Sequence, residues 1–342
     1  MKSSAAAAVL VAAALSTLPG LALAQEHEDE PLYYQGHENI GLGLFQSVSL
    51  SPFASMRTGF GPRMPSSLAE DAVELRINED WASMLSVKDA WLLDYDVLRS
   101  NIGASWGVTD RLRLDLDIES GTRTSGTLDT FIIAFHRTFN LAIGNRRQYS
   151  GHPQRLQIRT PHNGPTILVD EHDQQPFQQA LIAGAQMTLV RGDEDLPAVA
   201  ASFSLRRVLD TGDLSLGSAV DVGASLSFAK RAGPVYFYLG GSAAWFGQED
   251  FFGLPLRSLQ WSGLFGVEIR AVSWFSITGQ YLITSGGVDA LQDLSRPAHE
   301  VTAGFKWDLG AGYLLETAIL ENIIHPLNTP DFGVHLGLTI RW

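Results

Sequence analysis

The 342-residue chain contains no cysteine, has more acidic than basic residues, and has no long apolar run after residue 24. The lack of cysteine excludes disulfide scaffolds, thiol catalysis and cysteine-based zinc sites. With 24 basic against 37 acidic residues the net charge is −13, which argues against nucleic-acid binding because that function favours basic patches. Without a further stretch of about 18 apolar residues, no transmembrane helix is expected. The mature chain is therefore either soluble or crosses a membrane as strands.

The N-terminus has the three parts of a secretory signal peptide. Lys2 supplies a positive charge, residues 5–15 are apolar, and Ala22-Leu23-Ala24 has the small-x-small pattern of a cleavage site. An N-terminal membrane anchor is the alternative, but the apolar stretch is short and alanine-rich for that role. We therefore predict that residues 1–24 are cleaved and that the protein leaves the cytoplasm.

From about residue 72 onward the dominant signal has a period of two, which is typical of β-strands. In "RLRLDLDIES" (111–120), four apolar residues alternate with Arg113, Asp115, Asp117 and Glu119. The chain ends on a similar stretch, "DFGVHLGLTIRW" (331–342). We count twelve such stretches in all.

Short and long links alternate between the twelve predicted strands. The links after the odd-numbered strands are mostly the longer ones, and they span roughly 82–91, 121–178, 209–217, 247–257, 285–298 and 323–331. A secreted β-sandwich would explain the period of two but not this alternation. An up-and-down membrane barrel explains both, since it has short periplasmic turns, longer outer loops and an even strand count.

The two faces of the strands support the membrane barrel. In that class the apolar face meets lipid and the polar face lines a wet interior. The predicted lumen-lining residues are Arg113, Asp115, Asp117, Glu119, Asp221, Glu268, Arg270, Glu316 and His335. Aromatic residues near strand ends would form the interfacial girdles. They are Trp81, Trp91, Trp106, Tyr236, Trp245, Trp274, Trp307, Tyr313 and Trp342.

The sequence thus predicts an all-β fold: one antiparallel up-and-down transmembrane β-barrel of about twelve strands over residues 70–342, with a long outer loop, 121–178, that contains a short helix. Residues 25–69 are rich in Pro, Gly and Ser and have little strand pattern. They would hang in the periplasm or plug the lumen from below, because a twelve-stranded barrel is wider than a filled eight-stranded one.

Several motifs follow one another along the chain: "GVTDRL" (107–112), "GTLDTFIIAFHRTFNL" (126–141), Thr211-Gly212-Asp213, Gly217-Ser218 with Asp221, "LGGSAAWFG" (239–247) and "LEN" (320–322). In this order they resemble the motifs of DUF3187, a family of uncharacterised proteins of Gram-negative bacteria. The resemblance covers most of the mature chain. It implies an outer-membrane barrel and brings no established activity.

The long loop 121–178 contains the predicted helix. Its apolar residues at helical spacing are Leu128, Phe131, Ile132, Phe135 and Phe139. A helix here could cover the barrel mouth, dip into the outer leaflet, enter the lumen as a constriction, or merely cover apolar surface at the rim. Arg146 and Arg147 could meet lipopolysaccharide phosphates, since guanidinium pairs well with phosphate.

Metal binding and catalysis find little support in the sequence. The loop holds His136, His152, His162 and His172 beside "DEHD" (170–173), but their spacing is not that of a ligand set. Gly103, Ser105 and Gly107 match G-x-S-x-G, yet they lie in a strand rather than at a strand-to-helix turn. His299, His325 and His335 have no obvious serine partner. We therefore predict no metal, no cofactor and no enzyme activity.

The leading functional hypothesis is a channel or passive transporter for a small polar solute in the bacterial outer membrane, with 121–178 as a constriction. Acid excess would favour cations or neutral solutes. The alternatives are a plugged barrel with a structural or interaction role and a lipid-acting enzyme. The expected partners are outer-membrane lipids, lipopolysaccharide, the barrel-assembly machinery and the solute. The last strand, with Phe332 and a terminal Trp342, resembles the signal that this machinery reads.

Overall fold

The structure is a computed structural model. It describes residues 39–57, 61–65, 68–126, 128–138, 140, 146–149, 154–159, 166–171, 175–211, 219–322, 324 and 327–342, and for 169–171 and 175–177 the backbone alone. The predicted signal peptide and Phe139, His152, His162, His172 and His325 lie outside the described residues.

Sixteen strands and three short α-helices are described. The strands are β1 (Val73–Lys88), β2 (Trp91–Gly107), β3 (Leu112–Thr124), β4 (Gln154–Arg159), β5 (Thr166–Glu171), β6 (Gln175–Val190), β7 (Ala198–Asp210), β8 (Val220–Ala232), β9 (Val235–Trp245), β10 (Asp250–Phe251), β11 (Leu254–Pro255), β12 (Leu259–Val272), β13 (Phe275–Thr284), β14 (Ala298–Gly310), β15 (Tyr313–Glu321) and β16 (Phe332–Arg341). The helices are α1 (Pro52–Ser55), α2 (Asp129–Thr138) and α3 (Arg146–Tyr149), and Gln292–Ser295 form a 3-10 helix.

Twelve of these strands form one closed antiparallel barrel, which confirms the predicted fold class. Each pairs with the next barrel strand along the chain, and β1 closes the barrel against β16. In that seam Glu74 lies opposite Arg341 and Ser83 lies opposite Phe332. The β4–β5 hairpin adds to the upper part of β2, beyond the point where β3 ends, and β10–β11 form a separate small ladder.

The links between barrel strands are short at one end and, with one exception, longer at the other. We call the end with the short turns and both barrel termini the periplasmic end, following the rule for this class. The exception corrects the predicted link 82–91: β1 and β2 are joined by the two-residue turn 89–90. The strands continue past the membrane band because inward-facing residues such as Met84 and Leu93 pack in an apolar cluster at the extracellular end.

The barrel is apolar outside and polar inside, the reverse of a soluble barrel. On β3, the outward-facing Ile118 is 57% exposed, whereas the inward-facing Glu119 is fully buried. An apolar outer band is what a membrane-spanning barrel presents to lipid. The girdle prediction is wrong for two of the aromatic residues, because Trp91 and Tyr236 point inward and are buried. In the described part of the chain, no helix is long and apolar enough to cross a membrane.

Candidate functional site in the barrel lumen

A segment that precedes the barrel strands runs through the lumen from end to end. We call residues 39–57 and 61–65 the lumen segment. At the periplasmic end, the Asn39 side chain donates to two carbonyl oxygens of the β6–β7 turn, each at 2.8 Å. At the extracellular end, Arg57 donates to the carbonyl oxygens of Gln248 and Arg257. Residues 61–65 return along the wall formed by β3, β6 and β8.

Glu268 on β12 binds the backbone of the lumen segment. Its two carboxylate oxygens accept the amides of Leu42 and Gly43, each at 2.9 Å. The same carboxylate accepts the hydroxyls of Tyr238 and Ser276, each at 2.7 Å. Glu268 is therefore held in place by wall residues independently of the segment.

Lys306 on β14 binds the same stretch from its carbonyl side. Its ammonium donates to the carbonyl oxygens of Leu42 at 3.3 Å and Leu44 at 2.8 Å. It also pairs with Glu316 at 2.6 Å, and Glu316 lies 2.8 Å from His335. Like Glu268, Lys306 is fixed by the wall as well as by the segment.

The returning arm is held by an ion pair. Arg63 lies 2.7 Å from Asp115 and 3.1 Å from Asp117, two of the predicted lumen-lining acids. Both acids also have wall partners, since Arg113 approaches Asp115 and Arg76 approaches Asp117, each at 3.0 Å. The wall carboxylates thus keep a cationic partner if Arg63 leaves.

The structure brings most of the predicted lumen-lining residues into two buried ionic networks on β1–β3 and β14–β16. Arg113, Asp115 and Asp117 belong to the first, with Arg76. In the second, Arg99 joins Asp80 at 2.8 Å to Glu119 at 2.6 Å, and His335 lies 2.7 Å from Asp80. Burying charges is costly unless they are paired, and these networks pair them within the wall. Asp221 lies apart, paired with Arg206 at 2.5 Å. Arg270 is half-buried nearer the periplasmic end.

Sequence reasoning missed several residues of this site. They are Glu74, Arg76, Asp80, Arg99, Tyr238, Glu300 and Lys306 on the wall, and Arg63 on the segment. Lys306 was detectable, because in "AGFKWDL" (303–309) it alternates with outward-facing aromatics. Glu74 and Arg76 alternate in the same way with the apolar face of β1. Arg63 carries no such signal, since its segment has no strand periodicity.

An apolar cluster closes the extracellular end of the lumen. We call it the extracellular cap: Phe53, Met56, Met84, Trp91, Leu93, Tyr95, Val97, Leu156, Ile158, Ile167, Phe251, Leu254, Val288, Leu291 and Leu294. It joins the lumen segment, the β1–β2 hairpin, the β4–β5 hairpin and two outer loops. Beneath it, a cavity of about 170 Å³ lies between the lumen segment and the charged wall.

The helix of the long loop does not enter the lumen. Helix α2 packs against the outer face of the β16–β1 seam, where Leu128 and Ile132 meet the outward-facing Phe332. Phe135 lies 5.0 Å from the Phe332 ring, and Phe131 is 51% exposed. Of the placements considered for this helix, entry into the lumen is wrong, so the helix does not form the constriction predicted for loop 121–178. Among the described residues of the loop, the β4–β5 hairpin takes part in closing the lumen, through the extracellular cap.

Arg146 is buried under this loop, which removes it as a contact for lipopolysaccharide phosphates. Its guanidinium pairs with Asp129 at 2.5 Å and Asp331 at 2.8 Å, and donates to Ser83 at 2.8 Å. Burial disfavours its charge, but Asp331 and Asp129 together raise the pKa of Arg146. Burial also raises the pKa of Asp331 against the opposing effect of Arg146. Arg147 is exposed.

We expect Arg146→Met to release α2 from the barrel while leaving the barrel folded. The substitution leaves the buried Asp129 and the half-buried Asp331 without the Arg146 cation, and breaking a buried pair costs roughly 3–5 kcal/mol. Limited chymotrypsin digestion in detergent, followed by mass spectrometry, should show much faster cleavage at Phe131 and Phe135. The neighbouring Arg147→Met is the matched control and should leave the rate unchanged; equal rates in both variants would contradict the bracing role.

Other candidate groups are accounted for by local partners. Ser105, of the G-x-S-x-G match, is buried and donates to Asp115 at 2.5 Å. His136 lies 3.5 Å from Glu321. Among the described residues, no group of three or more His, Asp or Glu is placed to hold a metal ion.

A closed twelve-stranded barrel with an apolar outer face and a polar interior defines the class of outer-membrane β-barrel proteins. Within that class, the chain belongs to the family described as protein of unknown function (DUF3187), whose profile matches residues 31–342. No curated protein matches the chain in sequence.

A solved outer-membrane channel shares the fold, and two porins are among the other similar structures. The COG4313 outer membrane channel from Pseudomonas putida F1 is 14% identical, with 81% of this chain and 97% of that chain covered and a TM-score of 0.53. The NanC porin is 10% identical over 78% of this chain and 98% of its own, with a TM-score of 0.44. The KdgM porin is 5% identical over 78% and 98%, with a TM-score of 0.41. At 14% identity, the likeness to the COG4313 channel is one of fold.

Proposed function

We propose that this protein is a channel for small polar solutes in a bacterial outer membrane, and that the lumen segment holds it closed. The observation that supports the proposal is a charged and polar wall with a separate chain segment in front of it. A twelve-stranded barrel is wide enough to leave a path when such a segment moves. The channel is passive, and its surroundings are outer-membrane lipids and lipopolysaccharide.

The ion pairs of the wall are the reason to prefer a channel over a permanently filled barrel. Arg76 pairs with Glu74 and Asp117, and Arg99 pairs with Asp80 and Glu119, all of them wall residues. These pairs do not need the lumen segment. The wall is therefore expected to stay stable, and wet, after the segment has moved.

Ion selectivity is expected to be weak. The chain as a whole is acidic, but the wall beside the cavity carries both signs. Its charged residues are Glu74, Arg76, Arg99, Arg113, Asp117, Lys306, Glu316 and Arg341. We therefore propose that both cations and anions pass, with neutral polar solutes, rather than cations alone.

The second candidate function is a permanently plugged barrel with a structural or interaction role. It is favoured by the number of bonds between wall and segment, which run from Asn39 to Arg57. The two candidates differ in one property, namely whether the segment leaves the lumen.

A disulfide tether tests this property, and the lack of native cysteine makes the test clean. A Cβ at Gly240 on β9 would lie 2.9 Å from the Cβ of Pro62 in the segment. Disulfide-linked Cβ atoms lie roughly 3.8 Å apart, so a shift of under one ångström suffices once the flexible end of Met64, which the same Cβ would meet, has moved aside. In planar bilayers, Pro62→Cys/Gly240→Cys should open when reduced and stay shut when oxidised.

The wild-type protein and each single cysteine variant are the controls, and oxidant should leave their currents unchanged. Openings that persist in the oxidised double variant would show that ions pass without movement of the segment at Pro62. The absence of openings in the wild type and in variants that loosen the segment would instead favour the plugged barrel.

A further inference from the structure

The lumen wall recognises the backbone of residues 41–44 rather than their side chains. The amide of Gly41 donates to the Tyr238 hydroxyl at 3.0 Å, and the amides of Leu42 and Gly43 donate to Glu268. Lys306 donates to the carbonyl oxygens of Leu42 and Leu44. Five bonds thus go to groups that any peptide possesses.

The wall residues that make these bonds are preorganised. Glu268 is fully buried and keeps its bonds from Tyr238 and Ser276 without the segment. Lys306 keeps its pair with Glu316. When the segment leaves, the two carboxylate oxygens of Glu268 and the ammonium of Lys306 face the lumen in fixed positions. In the closed state they bind the amide and the carbonyl oxygen of the same residue, Leu42. Preorganised groups of this kind lower the ordering cost of binding.

The side chains of this stretch occupy two apolar subsites. Leu42 packs against Leu314, and Leu44 enters a cluster with Tyr236, Tyr238, Leu264 and Leu282. Gly266 makes room for Leu44, because a Cβ at that position would clash with it. Between them Gly43 has no side chain, and it adopts a φ of +83°. The wall thus fits apolar side chains at positions 42 and 44, and the glycine between them is required by its backbone conformation, since a Cβ there would meet nothing within 4 Å.

From these contacts we propose that the wall site of Tyr238, Glu268 and Lys306 binds short peptides, which are polar solutes through their backbone but here carry apolar side chains, and that residues 41–44 occupy it as an internal mimic of that solute. The inference rests on the proposed function, since the segment must leave for the solute to enter. A free peptide gains further from this site: its ammonium group complements Glu268 and its carboxylate complements Lys306. An oligosaccharide of similar length has no amide pair to match them.

The test uses the full chain with Gly43→Pro, which lacks the amide that donates to Glu268 and cannot adopt the observed φ. The probe is the pentapeptide Ile-Gly-Leu-Gly-Leu, which copies residues 40–44. The controls are the same peptide N-methylated at its first leucine and second glycine, and maltopentaose. We measure block of single-channel current in bilayers and, separately, binding of the fluorescently labelled peptide to detergent-solubilised protein.

The unmodified peptide should block and bind, and the N-methylated peptide and maltopentaose should do so at least about tenfold more weakly, as expected for lost bonds to a charged group. In the Gly43→Pro protein, adding Glu268→Gln should weaken binding of the peptide about tenfold. Adding Gln186→Ala, on the part of the wall that the returning arm contacts, should not weaken it. Wild-type protein should bind more weakly than Gly43→Pro, because its site is occupied.

The outcomes separate the two proposals. A conducting Gly43→Pro that the three probes block equally, or not at all, overturns the peptide site and leaves the channel standing. Peptide binding without conductance in any variant supports the site and overturns the channel. If Gly43→Pro neither conducts nor binds, both are overturned. The N-methylated peptide keeps the test valid if Glu268→Gln fails to fold.

Discussion

Replacement of Gly43 by proline is expected to open the barrel. The residue sits in the lumen segment with a φ of +83°, a region that proline cannot enter, and its amide donates to Glu268 at 2.9 Å. Loss of a hydrogen bond to a charged group costs about 1.5–3 kcal/mol, and the forbidden φ adds to it. Because 1.4 kcal/mol is a factor of ten, the open probability in planar bilayers should rise by about 100-fold.

Two alanine variants distinguish release of the lumen segment from backbone strain elsewhere in the protein. Gly43→Ala keeps the amide, and its Cβ would meet nothing within 4 Å, so it adds only the left-handed strain of about 1–2 kcal/mol. It should raise the open probability by roughly tenfold. Gly233→Ala introduces the same strain in the β8–β9 turn, where φ is +61° and space is also free. If Gly233→Ala opens the channel as much as Gly43→Ala does, the effect is not specific to the segment.

Deletion of Trp342 should sharply reduce assembly of the barrel in the outer membrane. The Trp342 side chain is outward-facing and 64% exposed, so it contributes little packing. Its backbone exchanges two hydrogen bonds with Val73, at 2.9 and 3.0 Å, in the seam that closes the barrel. Two such bonds account for about 1–3 kcal/mol of folding free energy. The measurement is the amount of folded, heat-modifiable protein in cells. A loss of most of it would be larger than the two missing hydrogen bonds explain, and would indicate that the assembly machinery recognises Trp342.

Substitutions at the same position distinguish recognition from stability. Trp342→Ala keeps both backbone bonds and should still assemble poorly in cells, whereas Trp342→Phe should assemble almost normally. All three variants should refold in detergent with yields near that of the wild type, since no machinery acts there. If the deletion variant inserts normally in cells, or if refolding in detergent is lost to the same degree, the predicted signal role of Trp342 is wrong.

The sequence predicted the barrel because apolar and polar residues alternate along its strands. The alternation has a physical cause, since one face of each strand meets lipid and the other makes polar contacts in the lumen. Ile118 and Glu119 follow it, and so do Leu336 and His335. The prediction from this alternation was wrong where the strands are not in contact with lipid on one face. Between β1 and β2 the strands continue beyond the membrane band into the extracellular cap, so the predicted loop 82–91 became a tight hairpin. Trp91 and Tyr236 look like girdle residues in sequence but face inward.

The apolar spacing of 128–139 indicated a helix but could not say which surface it covers. That depended on Phe332 and Trp81, which approach the helix only after β1 and β16 have paired. Arg146 illustrates the same limit. In sequence it is one of two adjacent exposed-looking cations, and its burial follows from carboxylates at 129 and 331, far apart in the chain.

By itself, then, the sequence determined the number of barrel strands and their inward and outward faces, since the pattern that shows both lies in residues near one another along the chain. Tertiary structure alone decided what occupies the lumen. The lumen segment, residues 39–57 and 61–65, has little strand pattern apart from "IGLGLF" (40–45), and its place is set by Glu268, Lys306 and Asp115, which lie from about 50 to more than 260 residues away. Glu268 and Lys306 bind backbone amides and carbonyl oxygens, and Asp115 binds Arg63. Backbone groups are nearly the same in every residue, so a sequence cannot show which of them will be bound.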